Sequence, residues 1–235
     1  MTLGIMQPYL FPYLGYFQLV STVDKFVIYD DVSYIKQGWI NRNQVLLHGR
    51  PHLFSVPLSR ASSNVDIRNT SVCLSEYPRW RDKFHKTIAL AYSAAPRYQA
   101  VRLLLASVVD TIPTTIGELA GRSVLAVCEF VGIRTRIELT STVYGNSHLH
   151  SQNRVLDICA RENADRYVNP SGGHELYSRD AFGTRGIDLK FLRSRPTPYQ
   201  QFYPPFVPGL SIIDILMFNS PDQVHGLLAD YDLVD

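Results

Sequence analysis

The sequence predicts an open α/β fold, with a mostly parallel, Rossmann-like sheet and a helical insertion. Three observations predict it. Short apolar runs end abruptly in polar or Gly/Pro-rich loops, segments with apolar residues at three-to-four spacing alternate with those runs, and residues 77–132 keep helical spacing throughout. A chain of 235 residues suffices for one large α/β unit, so 1–235 reads as a single domain with 77–132 inserted in it.

The first apolar run, residues 3–7, stops at Pro8, and helical spacing resumes over 13–20, which reads as strand, tight loop, helix. Residues 25–29 (KFVIY) form the next strand, ending in Asp30 and Asp31 and followed by a polar, aromatic loop to Asn43. Further short strands are expected over 44–48, 52–56 and 65–74, with Gly49, Pro57 and a Ser-rich segment as breaks. Three helices follow, over 77–94, 97–112 and 115–131, the first with Trp80, Phe84 and Ile88 on its apolar stripe. Strand character returns over 133–142, helix over 152–163 and strand over 166–169, a β-α-β unit closing on Pro170-Ser171-Gly172-Gly173. A helix over 175–184, a strand over 187–192, a Pro-rich loop and a final helix from Ser211 complete the chain.

Composition excludes several function classes. Hydrophobic residues make up 46% and charged residues 19%, which rules out a disordered chain. With 23 basic against 21 acidic residues the net charge of +2 supplies no field for nucleic acid or a membrane surface, so any phosphate site must be local. Cys73, Cys128 and Cys159 are far apart and lack metal-type spacing, as expected of reduced structural thiols. The opening MTLGIMQPYLFPYLGYF has no basic segment and is interrupted by Pro8 and Pro12. It is expected to be neither a secretory signal nor a membrane span, and the protein is expected in the cytoplasm.

Chemistry concentrates in two stretches. Residues 7–17 sit where the first strand gives way to the first helix, the place where open α/β sheets bind ligands. Gln7, Tyr13 and Tyr16 offer hydrogen bonds there, and Gly15 allows close backbone approach. A rigid aromatic loop that merely caps the core is the competing reading. Tyr13-Leu14-Gly15-Tyr16 also occupies the place where nucleotidylyltransferase-like enzymes carry His-x-Gly-His, but tyrosine brings no imidazolium charge, so ATP chemistry would need cations from elsewhere.

In the second stretch, residues 29–43, adjacent Asp30 and Asp31 are candidates for a general base or a divalent-cation site: consecutive strand residues point to opposite faces, so at most one is the base, unless the strand ends before Asp31 and both carboxylates converge on a cation. Lys36 and Arg42 suit a carboxylate, phosphate or oxyanion, Trp39 a flat wall, and Asn41 a neutral hydrogen bond. A solvated hairpin is the alternative. His148 and His150 lack a third ligand, so no metal site is assigned; Ser151 is expected as an N-cap, with Arg154 reaching an anionic ligand. Asn169, Gly172, Gly173 and Tyr177 again lie between a strand and a helix, where paired glycines free N–H groups to face an anion or let a substrate approach the main chain, with a plain tight turn as the equal alternative. Ser211 and Asp214 read as a capping box.

Taken in order, IMQPYLFPYLGYFQLV, DKFVIYDDVSYIKQGWINRN, YVNPSGGHELY and YQQFYPPFVPGLSIIDILMFN resemble the WbqC-like family over nearly the whole chain. The resemblance matches recurring motif positions at Gln7, Pro8, Tyr13, Gly15 and Tyr16, and then at Asp30, Asp31, Lys36, Trp39, Asn41 and Arg42. It continues at Asn169, Gly172, Gly173 and Tyr177, and at Gln200, Ser211 and Asp214. Asn169-Pro170-Ser171 departs from the Asn-Ala-Ile-like run expected before the glycines.

What the resemblance implies is a place in bacterial surface-polysaccharide (O-antigen) or related biosynthesis, with glycine or other aminoacyl transfer as the suggested activity. The expected reaction is amide formation on an amino sugar, carried on a nucleotide. Asp30 or Asp31 would take the proton, while Lys36, Arg42 and N–H groups near Gly172 would stabilise an oxyanion or leaving phosphate. Gln7, Tyr13, Gly15, Tyr16 and Trp39, with Asn41, Asn169, Gly172, Gly173, Tyr177 and Gln200, would bind substrate. The cofactor stays open, with ATP and Mg among the choices. Nucleotidyl transfer and noncatalytic nucleotide or carbohydrate binding are the alternatives.

Overall fold

The computed structural model describes residues 1–195 and 197–235. A six-stranded sheet organises it, built from β1 (Thr2–Met6), β2 (Lys25–Ile28), β5 (Arg136–Glu138), β6 (Arg166–Pro170), β7 (Asp188–Ser194) and β8 (Tyr231–Val234). Their order is β5-β2-β1-β6-β7-β8. The first five are parallel and β8 runs antiparallel at the edge. Chain order therefore reverses between β1 and β6, the topological switch point of a Rossmann-like sheet.

Alternation along the strands sends side chains into two separate cores. Phe26, Ile28, Val168 and Leu192 join the core that holds α1 (Leu14–Thr22), α7 (Ile212–Phe218) and α8 (Pro221–Leu228). Leu3, Ile5, Val27, Tyr167 and Phe191 face the other core, beneath α5 (Ser151–Arg161) and α6 (Arg179–Gly183). Both faces are thus covered, as a parallel sheet requires.

Between β2 and β5 lie a hairpin, β3 (Arg42–Leu47) with β4 (Arg50–Ser55), and three helices, α2 (Tyr77–Tyr92), α3 (Tyr98–Val109) and α4 (Ile116–Val131). Phe84 and Ile88 are buried and Trp80 packs against the same core, so the expected stripe of α2 faces inward. α4 opens with the Thr115 hydroxyl accepting from the Glu118 N–H at 3.3 Å and closes at Gly132 in the left-handed region.

Several expectations are corrected. Residues 65–74 form no strand; their N–H groups go to three different segments, Ile67 to Val32 and Arg68 to Asp30 in the loop after β2, Val72 to Thr114 and Cys73 to Pro57, so no single neighbour offers a ladder. The strand expected over 133–142 shrinks to β5, followed by a 3-10 turn at Ser141–Tyr144. The helix expected over 175–184 is a 3-10 helix, Ser171–Leu176, broken from α6. The final helix is two, α7 and α8, separated by the Ser220 capping box with Gln223, and β8 follows unannounced. His150, not Ser151, is the N-cap of α5.

Candidate functional site at the sheet switch point

The C-terminal ends of β1, β2, β6 and β7 deliver their loops to one cavity of about 700 Å³. Its floor is Ile5, Met6 and Leu192 from the strands. Gln7, Tyr9, Tyr13 and Gly15 come from the β1–α1 loop, and Tyr29, Ile35 and Trp39 from the segment after β2. Residues 169–173, with Leu176 and Tyr177, close the far side, and Ser194 enters from the end of β7.

The β1–α1 loop is held from three directions. Phe11 has a positive φ of 42°, a costly conformation for an L residue. Its N–H donates to the Ser123 hydroxyl of α4 at 2.9 Å, and its carbonyl accepts from the Asn43 amide of β3 at 2.8 Å and the Ser211 hydroxyl at 2.7 Å. The Leu10 N–H donates to the Trp39 carbonyl at 3.1 Å, tying this loop to the next. Ser211 caps α7 through the Ile213 N–H, but Asp214 is no capping acid, being wholly buried inside the core.

Around the cavity, glycines permit close packing. A Cβ at Gly15 would lie 2.7 Å from the Tyr13 ring, and one at Gly173 would lie 2.0 Å from the Asn169 amide nitrogen. That amide donates to the Pro170 carbonyl at 3.0 Å while its oxygen accepts from the Tyr167 hydroxyl at 3.2 Å, so Asn169 is fixed at the wall. Tyr177 packs edge-on against Tyr167 and Phe182, with ring centroids 5.6 and 5.7 Å away. Burial pushes the Tyr9 phenol up to about 12 and raises Tyr13, Tyr29 and Tyr177 as well, so all four stay protonated hydrogen-bond donors at neutral pH. Among the described residues no Asp, Glu, Lys, Arg or His lines the cavity.

The expected acid–base pair is therefore placed elsewhere. Asp31 Oδ2 pairs with Arg154 Nη2 at 2.6 Å, its backbone carbonyl accepts from Nη1 at 3.2 Å, and its Oδ1 takes the Ser141 hydroxyl. Asp30 Oδ1 accepts from the Thr140 hydroxyl at 2.8 Å and the Ser141 N–H at 3.1 Å. The strand ends at Ile28, so the two carboxylates converge on one cluster instead of pointing to opposite faces. Arg154, expected to reach a ligand, is 3% exposed and stacks over the Tyr29 ring at 4.9 Å.

Other expected site residues are also absorbed by the fold. Arg42 donates to the carbonyls of Gly38, at 3.1 Å, and Gln37, and lies 6.0 Å over the Trp39 ring, bracing that turn. Asn41 is buried, donating to the Val56 carbonyl at 3.0 Å and accepting from Tyr34 at 2.8 Å. Tyr16 is buried beneath the cavity, its hydroxyl donating to the Gln7 carbonyl at 3.1 Å. Lys36 is exposed and outside the lining, and Gln200 lines a separate cavity of about 570 Å³ beside α8. Tyr9, Tyr29, Ser194 and Leu176 line the site without having been singled out. Ser194 lies at the C-terminal end of a sheet strand, and that position was the available signal.

These site loops fall within residues 7–226, which match the model of the WbqC-like protein family. The chain belongs to that family. A relative in Mycobacterium tuberculosis (strain ATCC 25618 / H37Rv), the uncharacterized protein Rv1507c, is 28% identical over 229 residues, covering 94% of this chain and 96% of the relative. No solved structure matches this WbqC-like chain. Among its described residues no helix is long and apolar enough to cross a membrane, and no group of three or more His, Cys, Asp or Glu side chains is placed to hold a metal ion.

Proposed function

We propose that this WbqC-like protein is a small-molecule transferase that seats an amino sugar, carried as a nucleotide conjugate, in the switch-point cavity and forms an amide on its amine by acyl transfer of the aminoacyl type. The observation carrying this reading is a neutral, aromatic-walled cavity at the carboxyl ends of the parallel strands. Tyr13, Tyr29, Trp39 and Tyr177 offer faces for a sugar ring or base, while Gln7, Asn169 and Ser194 offer neutral hydrogen bonds suited to hydroxyls. In the reaction the amine nitrogen bonds to the acyl carbon, the bond to the leaving group breaks, and the ammonium proton passes to that group or to water. With no lining base among the described residues, the amine enters uncharged, and a preformed activated donor suits the cavity better than ATP. Protonated phenols and N–H groups would stabilise the oxyanion.

Purified protein incubated with amino-sugar nucleotides and activated acyl donors, with and without ATP and Mg²⁺, tests this by mass analysis of products. A new amide that disappears with Asn169→Ala supports it. A broad panel yielding none counts against it. The absence, among the described residues, of a lining acid or base favours a second reading, noncatalytic binding of a nucleotide or carbohydrate, which predicts saturable binding without turnover.

A further inference from the structure

Three large apolar side chains stand around the mouth of the switch-point cavity with much of their surface in water: Ile35 is 52% exposed, Trp39 39% and Leu176 66%. They come from loops far apart in sequence, one following β2 and one following β6, and all three line this one cavity. Isolated exposed apolar residues need no explanation, but several converging on a cavity mark a surface that something apolar covers.

The interior continues the same chemistry. Ile5, Met6, Pro170 and Leu192 line it, and the described lining contains no formal charge. A polar head can bond to Gln7, Asn169 and Ser194 inside while a hydrocarbon segment lies along the rim.

We propose that the substrate of this site carries an aliphatic chain of several carbons, attached to its polar head, which leaves the cavity between Ile35, Trp39 and Leu176. This rests on the reading of the cavity as a sugar-binding transferase site and adds the class of group attached there. Such a chain has two sources, the sugar's own substituent or the acyl group of the donor.

Trp39 reports directly on the rim. The chain has two tryptophans, and Trp80 lies in α2, so the Trp80→Phe protein carries one indole, at the cavity mouth. Its emission is followed while methyl, hexyl and octyl β-D-glucosides are added below their micelle concentrations, and in parallel with S-acetyl- and S-octanoyl-N-acetylcysteamine. Calorimetry on the unaltered protein repeats both series and guards against any effect of the Trp80 change. A fully buried methylene is worth roughly threefold to fourfold in affinity, so the octyl compound, partly buried, is expected to bind about thirtyfold tighter or more than its methyl or acetyl counterpart and to shift Trp39 emission to the blue.

An effect in the glucoside series places the chain on the sugar; one in the thioester series places it on the donor. Ile35→Ser combined with Leu176→Ser, both at exposed positions, should remove most of the chain-length dependence. Affinity that is flat with chain length in both series, or dependence that survives the double serine variant, overturns the proposal. Methyl glucoside or a sugar nucleotide binding without chain dependence overturns it while leaving the sugar-site reading intact. No binding by any of these compounds counts against both.

Discussion

Asp31 and Arg154 show how a residue that looks catalytic can serve a site from behind. Each is almost wholly withdrawn from water, at 7% and 3% side-chain exposure, and the guanidinium supports the ring of Tyr29, which lines the cavity. Removing one member of a buried pair leaves an uncompensated charge, at a cost of about 3–5 kcal/mol. Asp31→Asn is therefore expected to lower stability by that order in denaturant unfolding, with any loss of ligand binding following the loss of fold. An Asp31→Asn protein of native stability but without turnover would restore the base role.

The two glycines after β6 make a sharper pair. At Gly173 a methyl group would strike the Asn169 amide, whereas at Gly172 nothing lies within 4 Å. Gly173→Ala should displace Asn169 and weaken sugar-nucleotide binding about tenfold or more, the scale of losing a hydrogen bond or two. Gly172→Ala should bind within about twofold of the native protein if the site uses no methyl-sized space there. Equal effects of the two changes would remove the argument for Asn169 as a fixed contact.

At the scale of elements, the insertion helices and the site loops are coupled by aromatic packing. Phe84 of α2 is 2% exposed and stacks at 6.3 Å on Phe11, the strained residue of the β1–α1 loop. Phe84→Ala should cost about 3–5 kcal/mol in denaturant unfolding, while Leu90→Ala, on the solvent side of the same helix, should stay within about 0.5 kcal/mol. Similar costs for both would mean that α2 does not present this face. Helix periodicity made that stripe legible, because burial and spacing reinforce each other over four turns. The segment 65–74 was not legible, since its N–H groups bond to three separate segments and no period describes that. β8 was missed for a related reason: a four-residue edge strand depends on the ladder β7 offers it, which local sequence does not display.

At the scale of the whole molecule, Asp214 ties distant parts together. Its carboxylate is fully buried and accepts from Tyr92 of α2 at 2.7 Å, Tyr199 at 2.6 Å and Gln201 at 2.8 Å, the last two on the segment between β7 and α7. Tyr92 in turn accepts the Leu46 N–H of β3. Burial raises the Asp214 pKa, and the three donors offset part of that rise. An acid whose folded pKa lies above its unfolded value contributes stability fully present below the unfolded pKa and lost as pH rises through the folded pKa. Asp214→Asn removes this titration. The melting-temperature gap between native and variant should therefore be widest near pH 4 and shrink as pH rises; a gap that widens instead would show the shift has the other sign.

The sequence by itself determined the alternation of strands and helices, the helical run at 77–132, and the strand-end loops that border the switch-point cavity. Each of these follows from period, breaker residues and the rule that loops at carboxyl strand ends face the crevice. What only the tertiary structure decided was which polar residues reach that crevice. Asp30, Asp31 and Asn41 share loops with Trp39 and Tyr29, yet their side chains turn to Thr140, Ser141, Arg154 and Val56, partners far away in sequence or across the hairpin, while Arg42 turns back onto the carbonyls of Gln37 and Gly38. A buried charge must find its counter-charge wherever the chain brings one, and the sequence of a loop carries no record of that partner. The cavity is left neutral for the same reason: α5 and the turn before it, folded against the end of β2, took up the carboxylates first in line for chemistry.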